Sequence, residues 1–219
     1  NIEYSILFAF FTALLISYLL IPKLIVFADK YRLEDIAGKR ASHEGSTPIF
    51  GGIAIFSGVV FALLFWADLM NIKFLIVSFT IVFFVGMVDD LLGLNPYKKL
   101  IGQFIAILVM IYLGNIQIDS MHGVLSIHEL PHLVGTLFTA FVVVVIINGF
   151  NLIDGIDGLA AGLGSISAFF FGIVALTMNQ LDIAIIAFSL MGALIGFMRY
   201  NFHPAKIFMG DTGSLLVGM

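Results

Sequence analysis

Seven apolar runs, at about 5–27, 49–67, 73–88, 100–113, 133–149, 159–178 and 183–198, divide this sequence, and an eighth begins near 212. A helix needs about 20 apolar residues to cross a hydrocarbon core. Inside lipid every backbone N–H and C=O must be satisfied within the chain, which helices achieve one segment at a time. The runs therefore predict an all-α, polytopic transmembrane helix bundle of about eight helices, forming a single domain over 1–219. Tilt, or extension into the flanking segments, accommodates the shorter ones. Only 11% of the residues are charged and 61% are hydrophobic, whereas a soluble domain carries about a quarter charged residues. A water-soluble fold is excluded. The apolar run after Asp211 stops at Met219, so the last span reads as cut short and the domain as incomplete at its C-terminus.

Counting helices from the N-terminus puts 28–48, 89–99, 148–158 and 199–211 on one side of the bilayer. Lys30, Arg32, Lys39, Arg40, Lys98, Lys99, Arg199 and Lys206 lie in these segments. Lys23 sits near the same end of the first helix, and only Lys73 lies opposite. By the positive-inside rule this face is cytoplasmic and Asn1 is outside. An error of one helix would scatter the cations over both faces, so their distribution supports the helix number as well as the orientation.

Cysteine is absent, which leaves oxygen and imidazole as the only metal donors. The net charge of −4 and the scattered cations give no surface for nucleic acid. The longest outer segment, 114–132, holds Asp119, His122, His128, Glu129 and His132 in a spacing that matches no ligand motif. It reads as a solvated connector. Gly158, Gly162 and Gly164 read as small-residue packing contacts of the sixth helix.

Most of the polarity of the inner face falls in three clusters. These are Asp89-Asp90 after the third helix, NGFNLIDGIDG from Asn148 to Gly158 after the fifth, and MGDTGS from Met209 to Ser214 before the eighth. Singly, each could be a helix cap, since Asp, Asn and Gly favour caps and turns. Together they hold Asp89, Asp90, Asp154, Asp157 and Asp211. Two carboxylates about 4 Å apart repel by roughly 4 kcal/mol at an effective dielectric of 20, so acids gathered at a lipid boundary call for a cation. Mg²⁺ suits them, because it takes oxygen ligands and commonly combines one or two carboxylates with substrate phosphates. Glycines beside the acids allow close phosphate approach, and the helix starts expected after Gly158 and after Asp211 offer free N–H groups. The chemistry suggested is phosphoryl transfer. An EF-hand is ruled out by the three-residue spacing of Asp154 and Asp157. The CDP-alcohol phosphotransferase pattern begins at Asp154, but Gly162 stands where its Arg is needed.

On Gly51-Gly52, Asp89-Asp90, NGFNLIDGIDGLA from Asn148 to Ala160 and NFHPAKIFMGDTGS from Asn201 to Ser214, the chain resembles the polyprenyl-phosphate N-acetylhexosamine-1-phosphate transferases. The run from Asn201 resembles the bacterial N-acetylglucosamine branch more than the UDP-MurNAc-pentapeptide branch. The resemblance implies an enzyme of the bacterial cytoplasmic membrane in which a polyprenyl phosphate attacks a UDP-sugar, giving polyprenyl-diphospho-sugar and UMP. Within that resemblance Asp211 and Asn151 bind Mg²⁺, with Mn²⁺ as an alternative. Asp157 recognises uracil and Phe208 stacks on it. Asp89 and Asp90 lie near the acceptor phosphate, and Lys99 neutralises it. Asp154 orders its loop. His203 touches the nucleotide or shapes the turn before Pro204. His43, with Lys39 and Arg40, faces the nucleotide phosphates or the lipid headgroups. A homodimer is the family expectation. The rival class is an ion-coupled transporter, whose acids belong near mid-helix, whereas these cluster at one boundary.

Overall fold

Residues 2–31 and 47–219 are described by the computed structural model. His43, Lys39 and Arg40 therefore lie outside the described residues. The helices are α1 (Ile2–Tyr31), α2 (Gly51–Trp66), α3 (Leu69–Leu92), α4 (Pro96–Leu108), α5 (His132–Ile153), α6 (Leu159–Thr177), α7 (Leu181–Asn201) and α8 (Gly210–Gly218). α4 continues as a π-helical turn over Val109–Leu113. Among the described residues six segments are long and apolar enough to cross a membrane, and α2 and α8 are shorter. Among the described residues there is no strand, only an isolated bridge between Ser120 and Glu129. The chain is a multi-pass, all-α membrane protein, as the apolar runs predict.

The packing has the inverted character of a membrane bundle. On α1, Phe8, Phe11, Leu15 and Leu19 are exposed, while Ala9 and Ala13 are fully buried. Large side chains meet lipid, and small ones let helices approach. α1 lies along α7 and α2, and α6 lies along α7. A Cβ at Gly58 in α2 would stand 2.7 Å from the Ala13 carbonyl oxygen, and one at Gly196 in α7 would stand 2.6 Å from that of Leu14. Only glycine permits these crossings.

α8 is the centre of the site end of the bundle. It is enclosed by α2, α3 and α5, and every residue from Thr212 to Leu216 is buried. At the opposite end, Asp182 accepts hydrogen bonds from the Asp68 N–H (3.1 Å) and from Asn71 Nδ2 (2.9 Å). This ties the α2–α3 turn to the start of α7. His122, His128 and His132 are exposed, and no three acids or histidines converge on a metal-sized site among the described residues.

Two expectations are corrected. Asp89 and Asp90 do not follow the third helix but lie inside its last turn, and Asn148 and Asn151 lie inside α5. Hydropathy drops where side chains meet the polar boundary, while the i→i−4 ladder runs on through it. Nor do the three glycines of the sixth helix share one role. Gly164 packs on Val217 and Leu194, but a Cβ at Gly162 would meet nothing within 4 Å, and Gly158 caps α6 at φ 73°.

Candidate active site

The three polar clusters come together at the start of α8. The first N–H groups of a helix have no partner inside it, and here carboxylates from two other elements supply one. The Gly210 N–H donates to Asp154 Oδ2 (2.9 Å). The Asp211 and Thr212 N–H groups donate to the two oxygens of Asp90 (2.8 and 2.9 Å), and the Thr212 hydroxyl donates to Asp90 Oδ2 (2.6 Å). Negative charge at a helix N-terminus is favoured by the helix dipole as well as by these bonds. Gly210 has φ 70°, and a Cβ there would strike Asp90 and the Ile49 carbonyl. No other residue fits this turn without displacing Asp90.

The remaining acids have different partners. Lys99, near the start of α4, places its Nζ 3.0 Å from Asp89 Oδ2 and 2.5 Å from Asp211 Oδ2. Asp89 Oδ1 also accepts the Leu94 N–H at 2.6 Å, which closes the turn between α3 and α4. Asn151 donates through Nδ2 to Asp211 Oδ1 and to the Ser214 hydroxyl. The adjacent Asp89 and Asp90 thus divide, one toward Lys99 and the other onto the α8 terminus.

A cavity of about 1040 Å³ opens on this arrangement. Asp89, Asp90, Lys99, Asn151 and Asp211 line it, with Gln103 and Asn148 beyond them and Ile49, Leu91, Leu92, Leu94 and Leu100 as apolar wall. It is therefore both charged and greasy. Asp154 is behind this wall, 8% exposed. Burial pushes its carboxyl up to about 7 despite the Gly210 bond, and Asp90 and Asp211 add to the rise.

Asp157, His203 and Phe208 do not line the cavity. Asp157 accepts the Ala205 N–H (3.1 Å) and pairs with His203 Nδ1 (2.9 Å), so the two residues fasten the 203–205 segment to the loop before α6. The Phe208 carbonyl accepts the Gly51 N–H and that of Met209 the Gly52 N–H, both at 2.9 Å. These bonds bring Gly51-Gly52 to the third cluster. Asn201, which begins the NFHPAKIFMGDTGS run, staples the end of the second cluster to the segment that leads into the third. It is 2% exposed, accepts the Gly158 N–H (2.9 Å) and donates to the Ile207 carbonyl (2.9 Å). The available signal was an Asn at the last position of the helix, where an unpaired terminus needs a partner.

Clustered acids around one ammonium thus stand beside an apolar wall at the polar end of a multi-pass helix bundle. The glycosyl transferase family 4 profile matches residues 72–219. The chain belongs to that family, within the superfamily of polyprenyl-phosphate N-acetylhexosamine-1-phosphate transferases. It is 34% identical to a phospho-N-acetylmuramoyl-pentapeptide-transferase of Borrelia turicatae, over 98% of this chain and 70% of that one. It is 33% identical to the enzyme of that name from a Thermoanaerobacter species, over 96% and 70%. It is also 34% identical to a decaprenyl-phosphate N-acetylglucosaminephosphotransferase of Mycolicibacterium smegmatis, over 95% of this chain and 56% of that one. The relatives fix a phospho-sugar transferase family and divide over the sugar. The transporter reading has no support among them.

Proposed function

We propose that the protein transfers N-acetylglucosamine 1-phosphate from its UDP-sugar to a polyprenyl phosphate at the cytoplasmic face of a bacterial inner membrane, starting a lipid-linked envelope glycan. The observation that carries this reading is the cavity itself, where Lys99, Asp89 and Asp211 stand against an apolar wall. A phosphate-bearing lipid and a water-soluble diphosphate both find their chemistry there. In the reaction an oxygen of the polyprenyl phosphate forms a bond to the sugar-linked phosphorus. The bond from that phosphorus to the bridging oxygen breaks, and UMP leaves with the electron pair.

Asp211 and the carboxamide of Asn151 are the residues we assign to Mg²⁺, or to Mn²⁺ in its place. The donor set fits a hard cation. Asp211 lines the cavity and its Oδ2 already holds a positive group, the Lys99 ammonium, and oxygen donors suit Mg²⁺ and Mn²⁺. The ion, when bound, neutralises diphosphate charge and polarises the transferring phosphoryl group. Lys99 then serves as the protein's own counter-charge for phosphate oxygens. Asp89 orients the acceptor and takes its remaining proton, a light task because a phosphate monoester is largely dianionic at pH 7. Asp90 and Asp154 hold the α8 terminus, and with it Asp211, in place. Asp157, Phe208 and His203 form the uridine end, on the segment that Asp157 fastens. His43 is assigned to the nucleotide phosphates.

A second reading, with UDP-MurNAc-pentapeptide as donor, is favoured by the relatives of that name. One experiment tests both. Full-length protein with polyprenyl phosphate and either UDP-sugar is assayed for UMP, with and without Mg²⁺. Mg²⁺-dependent UMP from UDP-GlcNAc alone is expected. Release only from the pentapeptide donor would transfer the assignment to the second reading, and no release from any UDP-HexNAc would overturn the function.

A further inference from the structure

Gln103 lies four residues after Lys99 in α4, on the same face of the helix. It is fully buried, at the inner wall of the cavity. Its Oε1 accepts a hydrogen bond from Asn148 Nδ2 (3.0 Å), and the same Nδ2 donates to the Val144 carbonyl (2.8 Å). A backbone carbonyl only accepts. The nitrogen of the Asn148 amide must therefore face Val144, and the Gln103 atom that meets this nitrogen must be its oxygen. The Gln103 Nε2 is thereby turned away from Asn148, and among the described residues it has no hydrogen-bond partner. A buried donor without an acceptor is destabilising, and more so in an apolar span, where no water replaces the missing partner.

The depth of this donor indicates which ligand it meets. Gln103 is about 6 Å farther than Lys99 along α4 from its polar end, at 1.5 Å per residue. Asn148 likewise precedes Asn151 by nearly a turn on α5, toward the apolar interior. A nucleotide sugar arrives from water and meets the outer level, that of Asp211 and Lys99. A lipid phosphate arrives with its chain in the hydrocarbon and so reaches the cavity from the inner level, that of Gln103 and Asn148.

We propose that Gln103 Nε2 donates to a phosphate oxygen of the polyprenyl phosphate acceptor, one helical turn deeper than Lys99, and so fixes the depth at which the lipid headgroup reacts. The inference rests on the transferase reading above. Gln103→Met removes the donor at similar volume in an apolar setting. Gln103→Glu keeps the oxygen for Asn148 and turns a negative charge toward the phosphate. With full-length protein releasing UMP, the KM for polyprenyl phosphate should rise about 10-fold in Gln103→Met and further in Gln103→Glu. The KM for the UDP-sugar should stay within about twofold, because that ligand lies a turn away. An unchanged lipid KM, or both KM values rising together with a fall in melting temperature, would overturn the proposal. Wild-type protein that releases no UMP would instead sink the transferase reading. A measurement free of variants is the side-chain amide spectrum of ¹⁵N-glutamine-labelled wild type. One NH₂ pair should shift on addition of a short-chain prenyl phosphate, and not on addition of the prenyl alcohol or UDP-GlcNAc. No shift with the phosphate, or the same shift with the alcohol or the nucleotide sugar, would refute it.

Discussion

Asp90 receives both polar hydrogens of Thr212, the backbone N–H at 2.9 Å and the hydroxyl at 2.6 Å, across 122 residues of sequence. A carboxylate at the end of α3 thus caps the first turn of α8 from outside, and one of its two backbone donors is Asp211 itself. Asp90→Ala should lower stability by about 2–3 kcal/mol, the range for losing charge-assisted bonds and a helix cap. Asp90→Asn, which keeps an acceptor oxygen, should lose less. Thermal unfolding in detergent measures both, and an Asp90→Ala protein as stable as wild type would remove the capping role.

Lys99 is the only cation within ion-pairing distance of Asp89 and Asp211 among the described residues. Lys99→Met should leave two like charges facing one another and reduce UMP release by about 10²-fold, the scale for one preorganised electrostatic contact. Asp211→Asn should lose at least as much turnover while the protein still inserts in the membrane. Wild-type rates in Asp211→Asn would refute the metal assignment.

Gly86 offers a purely steric test of the same terminus. A Cβ there would stand 2.5 Å from the Asp211 carbonyl oxygen and 2.6 Å from Thr212 Cα. Both are backbone atoms, so relief requires moving α8 away from α3. Gly86→Ala should cost about 1–3 kcal/mol, as overpacking does, and should reduce turnover beyond what the lost stability explains. Unaltered melting temperature and rate would show that α8 shifts freely.

Asp154 supplies a pH dependence. Its carboxyl is raised to about 7 from an ordinary 3.8 by burial, so the folded protein binds this proton more tightly than the unfolded chain. The stability linked to it is fully present below about 4 and declines as pH rises to about 7, after which it is level. Stability should therefore fall between pH 5 and 7, and Asp154→Asn should flatten that fall. Parallel profiles for the two proteins would contradict it.

The hydropathy runs and the one-sided cations made the bundle and its helix number legible, because lipid imposes both on the sequence directly. The motifs held Asp89, Asp90, Asn151 and Asp211, which share one cavity, but also Asp157, His203 and Phe208, which lie outside it. The separate partners of Asp89 and Asp90 were not legible, since adjacent residues on a helix point about 100° apart and the partners come from distant segments. Gln103 and Asn201 were equally silent. Each is one polar residue in or beside an apolar run, and its worth depends on which amide atom is left without a partner or which loop it staples.

α8 follows the other seven described helices and is enclosed by three of them. During synthesis α2, α3 and α5 must therefore reach the membrane with a slot between them, edged by bare glycine and by the uncapped carboxylate of Asp90. That slot closes only when the eighth helix enters and presents its N–H groups. Entry of α8 and the capping of its first turn by Asp90 are therefore a single event.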